Sequence, residues 1–149
     1  SFMTRITMGY PSRDSELEML ERHGAHNPLD ELYPVTHGER ITELIDVVGS
    51  VYVADVVKDY LVNIVAATRS HDAVRLGASP RASLHLIRTA RAKAALAGRD
   101  YVIPDDVQAM AIPVLAHRLL PSTRAQLDGI SPVDIVSQIL TSTPVPEQA

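Results

Sequence analysis

Residues 54–69 read ADVVKDYLVNIVAATR. Val57, Tyr60, Leu61, Ile64 and Thr68 recur at i, i+3 and i+4, the spacing that lines one face of a helix and no face of a strand. A buried helix from about Ala54 to Arg69 is therefore predicted, following the apolar run Val51-Tyr52-Val53. Past it, the stretch SHDAVRLGA (70–78) reads as a loop. Ser79-Pro80 then gives a cap residue followed by proline at the first helical position, so a helix starts there and runs to about Ala97, with Gly98 as its stop. Pro104 opens another helix, with Val107, Met110, Ala111 and Val114 facing in and Pro113 expected to bend or shorten it. Ser131-Pro132 repeats the cap-then-proline signal for a last helix through about Leu140, leaving TPVPEQA as a fraying tail.

Toward the N-terminus the pattern stays helical. Thr36 and Glu39 have capping-box spacing, ahead of Ile41, Leu44, Ile45 and Val48 on one face. Ser12 can cap a helix to about His23, with Leu17 and Leu20 inward and Gly24 ending it. Only FMTRITM (2–8) alternates like a strand, with Phe2, Thr4, Ile6 and Met8 on one side, before Gly9-Tyr10-Pro11 breaks it. One strand cannot satisfy its own backbone, so it reads as a piece severed from a sheet. The fold class is all-α: a bundle of six or so helices with one orphan N-terminal strand.

The bulk numbers agree. The 149 residues suffice for one domain with a real core. Aromatics are 4% of the chain, with one Phe and no Trp, so the core must be aliphatic and alanine-based. A net charge of −4 supplies no field for nucleic acid, and zero Cys removes disulfides, thiol catalysis and thiolate metal sites. No apolar run reaches the roughly 20 residues that cross a bilayer, and the N-terminus lacks a secretory pattern; a cytoplasmic location is expected.

Candidate chemistry concentrates at LGASPRA (76–82). A helix N-terminus favours anions, so Arg81 in the first turn works against the dipole. A ligand phosphate gripped by the guanidinium would explain it; a solvated surface arginine would too, and spacing alone leaves both open. Arg81, His85 and Arg88 share one face of that helix, either a phosphate- or partner-binding stripe or its solvated side. The six His are scattered without zinc-site spacing, and Asp105-Asp106 suit the dipole of the helix they begin. Neither G-x-x-x-x-G-K-[ST], G-x-S-x-G nor G-x-G-x-x-G occurs, so no nucleotide-hydrolysing site is complete in this chain.

Three segments, FMTRITMGYPSRDSELEML, YLVNIVAATRSH and LGASPRASLHLIRTARAKAALAGRDYVIPDDVQAMAIPVLAHRL, resemble the MoxR family of AAA+ ATPases from residue 2 to about 120. The resemblance implies that residues 1–11 are the last strand and hinge of a P-loop core, with Gly9, Tyr10 and Pro11 at the junction. Residues 12–143 would be a helical lid and 144–149 its tail. It implies that Arg81, aided by Ser79, is the sensor 2 residue reaching nucleotide phosphates; His85 and Arg88, from their place on the same stripe, are candidate interface residues. It further implies ATP and Mg2+ in the parent protein, packing against its own core, a ring of identical subunits (commonly six), and chaperone-like action on client proteins. Partners with von Willebrand factor A domains belong to the same expectation, and nucleic acid does not. Walker A, Walker B and sensor 1 residues are absent, so the chain alone is expected not to hydrolyse ATP. Two other readings remain open: a free-standing helical interaction module docking an acidic partner through the same stripe, and, against the negative charge, a helix-turn-helix binder.

Overall fold

The structure, a computed structural model, describes residues 2–22 and 28–147. The predicted stop at Gly24, together with His23 and His26, lies outside them. The described residues form seven α-helices: α1 (Arg13–Arg22), α2 (Gly38–Ser50), α3 (Asp55–Ser70), α4 (Pro80–Leu96), α5 (Pro104–Leu115), α6 (Thr123–Leu127) and α7 (Pro132–Ser142). Two short strands, β1 (Val74–Leu76) and β2 (Leu120–Pro121), pair antiparallel. The chain is mostly helical, as its periodicity requires. It divides into two compact units, one of residues 1–5 and 45–149 and one of residues 6–44.

The larger unit holds the core. On α3 the predicted stripe is buried: Val57, Tyr60, Leu61, Ile64 and Thr68, with Val65 added. Each aliphatic side chain fully removed from water contributes about 1.5–3 kcal/mol. α4 contributes Leu86 and a seam of Ala82, Ala90 and Ala94, all fully buried, and packs most extensively against α5. Alanine lets the two backbones approach closely, which is how a chain nearly without aromatics fills its interior. From α5 come Val107, Ala111, Val114 and Leu115; Ile135, Val136 and Ile139 of α7 complete the layer.

Pro113 has the predicted effect. It cannot donate to the carbonyl four residues back, and the α-helix ends two residues later, tightening into a 3-10 turn at Ala116–Arg118. Gly98, at φ 74°, closes α4 with its own N–H on the Ala95 carbonyl and that of Arg99 on the Ala94 carbonyl.

Four expectations change. The loop at 70–78 contains β1, which meets β2 through Val74 opposite Pro121 and Leu76 opposite Leu120. FMTRITM is not a strand here: with no strand beside it among the described residues, Phe2–Arg5 is held instead by the end of α5. The Arg5 N–H donates to the Pro113 carbonyl at 2.9 Å. α2 begins at Gly38, its first bonds received by the carbonyl of His37 rather than by a cap at Thr36. In the smaller unit Ser12 does cap α1, its Oγ accepting from the Ser15 N–H at 3.2 Å. Leu17 and Leu20, however, are 43% and 64% exposed, because no described residue between 6 and 44 is buried and nothing in that unit covers them.

Candidate nucleotide-sensing site

The start of α4 is built on the end of α3. Thr68, fully buried, donates its hydroxyl to the Val65 carbonyl at 2.6 Å and accepts the Ala78 N–H at 3.0 Å. Arg69 donates from Nε to the Ala78 carbonyl at 2.8 Å. Both backbone polar groups of Ala78 are therefore held by α3. Gly77 fits because it has no side chain: a Cβ there would lie 2.6 Å from the Thr68 carbonyl oxygen and 2.7 Å from the Arg69 Cα.

Ser79 has the extended backbone of a cap residue, but its side chain makes no capping bond. Pro80 follows at the first helical position, and the first turn holds no carboxylate. Arg81 is exposed and makes no hydrogen bond or ion pair with the described residues. With Leu84, His85 and Arg88 it lines an open depression of 360 Å³. The three basic residues predicted to share a face do so.

His85 is tied to a residue that the sequence did not single out. Its Nδ1 lies 2.7 Å from Nη2 of Arg118, and since a guanidinium can only donate, Nδ1 accepts and the ring is neutral. Burial, then the cations Arg118, Arg88 and Arg81, hold its pKa below the ordinary histidine value. Arg118 also donates to the carbonyls of Phe2 at 2.6 Å and Met3 at 3.3 Å, and through Nε to that of Val114 at 2.8 Å. It joins the N-terminal segment, the end of α5 and the basic face of α4. A residue 33 positions from its partner leaves no spacing signal.

Gly9 adopts φ 70°, and Tyr10 and Pro11 are exposed. Among the described residues no group of three or more His, Asp or Glu could hold a metal, and no helix is long and apolar enough to cross a membrane. An anion could be received here, at a helix N-terminus without a side-chain cap and with a guanidinium beside it.

The AAA lid domain family matches residues 66–139, which take in α4, α5 and the α3 turn that holds Ala78. Bacillus subtilis YeaC, an uncharacterized protein, is 41% identical over 147 residues, 99% of this chain and 46% of YeaC. The chaperone MoxR1 of Mycobacterium tuberculosis is 35% identical over 155 residues, 98% of this chain and 41% of MoxR1.

The chain belongs to the MoxR family and carries its AAA lid.

A solved structure of a Cytophaga hutchinsonii protein considered an ATPase matches this lid with a TM-score of 0.89 and 28% identity, over 98% of this chain and 47% of that one. The lid spans less than half the length of the curated relatives named here.

Proposed function

We propose that this chain is the nucleotide-sensing lid of a MoxR-type ATPase, with Arg81 as its sensor 2 residue. The observation that carries the reading is the unpaired Arg81 guanidinium beside an α4 start that lacks both a side-chain cap and a carboxylate. The residues fit the phosphate end of ATP: a free cation, the Arg81 backbone N–H and the Ser79 hydroxyl. They supply no donor set for Mg2+ and no base for water, so those parts come from a P-loop core. When ATP is bound there, Arg81 stabilises charge on the phosphates, and their loss releases the lid. Residues 1–11 are the end of that core, with Gly9, Tyr10 and Pro11 as the hinge, and residues 12–143 are the lid, with a tail at 144–149.

His85 and Arg88 extend the same face toward a neighbouring subunit in a cytoplasmic, commonly six-membered ring. The whole machine acts on client proteins as a chaperone, in company with von Willebrand factor A domain partners. The resemblance of the quoted segments and the likeness to chaperone MoxR1 support this part.

Steady-state ATP turnover by the full-length protein, intact and with Arg81→Ala, tests the reading, with circular dichroism confirming that both are folded. A folded variant losing most of its turnover is expected. Unchanged turnover and nucleotide affinity would remove the sensor assignment, and the Arg81–His85–Arg88 stripe would then be tested as a docking surface for an acidic partner.

A further inference from the structure

Arg81 is exposed and long, so where its guanidinium can reach depends on where α4 starts and in which direction it leaves. No contact of Arg81 itself fixes this. It is fixed three residues earlier, at Ala78, whose N–H and carbonyl are both engaged by consecutive residues of α3. The Thr68 hydroxyl is oriented for this: its proton is committed to the Val65 carbonyl, which turns a lone pair toward the Ala78 N–H. Gly77 sits against the Thr68 and Arg69 backbone with no room for a Cβ, so the loop has one seat. From that seat only Ser79 and Pro80, the latter with φ set by its ring, separate Ala78 from Arg81.

We infer that Thr68 and Arg69 are positioning residues for phosphate sensing, holding Ala78 so that Arg81 leaves α4 at a fixed place and angle. The inference rests on the sensor reading of Arg81. Arg69 touches no phosphate in this scheme; it acts through Arg81 alone. A misplacement of about 1 Å at a reacting group can cost up to a hundredfold in rate, so a loop freed from its seat should be felt in turnover before it is felt in stability.

The test uses the full-length ATPase with Arg69→Gln, Thr68→Val, Thr68→Ser, Arg81→Ala and the pair Arg69→Gln/Arg81→Ala. Turnover is read as separate kcat and KM for ATP, and amide hydrogen exchange is followed over residues 77–82. Arg69→Gln should lower kcat roughly tenfold, with faster exchange at 77–82 and unchanged exchange in α5 and α7. Thr68→Ser should keep the activity that Thr68→Val loses. The double variant should be no slower than Arg81→Ala, because a residue acting through Arg81 has nothing left to act on.

A double variant slower than Arg81→Ala by the full Arg69→Gln factor overturns the inference, as does normal kcat in Arg69→Gln when Arg81→Ala is slow. Unchanged exchange at 77–82 also overturns it, whatever the turnover. If Arg81→Ala itself is silent, the sensor reading fails and the positioning of Arg81 for phosphate falls with it. The exchange data then still report whether α3 holds the loop.

Discussion

Arg99 and Asp106 meet across the loop between α4 and α5 through two parallel hydrogen bonds of 2.7 Å, with the Asp106 side chain almost wholly buried and that of Arg99 about three-quarters so. The same carboxylate accepts the Ile103 N–H at 3.0 Å, so one aspartate fixes the incoming loop and the first turn of α5. Asp106→Ala strands a guanidinium and an N–H together. The expected loss is about 3 kcal/mol, the low end for breaking a buried pair because Arg99 can partly rehydrate. Urea unfolding of this chain measures it; a loss under half a kcal/mol contradicts the structure.

Burial alone would raise the Asp106 pKa, but the Arg99 and Ile103 hydrogen bonds and the Arg99 charge outweigh it, and the net shift is downward. A carboxyl whose folded pKa lies below its unfolded one contributes stability that is fully present above about pH 4 and lost as pH falls through the folded value. The lid should lose stability progressively below pH 4, and Asp106→Asn should flatten that part of the profile. Identical acid limbs in both proteins would show that Asp106 is not the group responsible.

His85 carries a proton linkage of the same sign at higher pH, with the neutral rather than the charged form favoured in the fold. Burial and the neighbouring arginines lower its pKa, so the unfolded chain takes up a proton near pH 6.5 while the folded chain still resists. Stability from this site falls as pH drops below about 6.5. An NMR titration should give His85 a midpoint below that value, moving upward in Arg118→Ala. A midpoint that ignores Arg118 would break the link drawn between α4 and the end of α5.

Two glycines give a paired test. Gly77→Ala places a methyl 2.6 Å from a backbone oxygen that cannot easily retreat, and should cost about 1–3 kcal/mol. Gly49→Ala, inside α2 with nothing within 4 Å, should gain about 0.5–1 kcal/mol. Thermal melts of both variants decide it, since any general effect of alanine would move them in the same direction.

The helices that were legible in advance are those whose burial follows chain-local spacing. Val57 to Thr68 announce α3, and Ser79-Pro80 and Ser131-Pro132 announce the starts of α4 and α7. What was not legible depends on partners far along the chain. β1 and β2 have three and two residues, too few for alternation to register, and exist only through each other. Phe2 to Met8 alternate as a strand should, yet a strand needs a neighbour. Leu17 and Leu20 carry a helical stripe with no layer to receive it among the described residues of their unit. At the site, Arg81, His85 and Arg88 could be placed on one face from spacing, whereas Arg118 and the hold of Thr68 and Arg69 on Ala78 could not. Arg69 marked only the end of the predicted helix, and its bond to Ala78, nine positions on, left no signal in the spacing.

The alanine seam of α4 has a mechanical consequence. Ala82, Ala90 and Ala94, fully buried, have no rotamers to exchange, so the packed side of α4 yields little. On the reading proposed for Arg81, a force exerted there by nucleotide would be little absorbed within α4. It would be passed on, as displacement of a stiff body, to whatever the lid leans against.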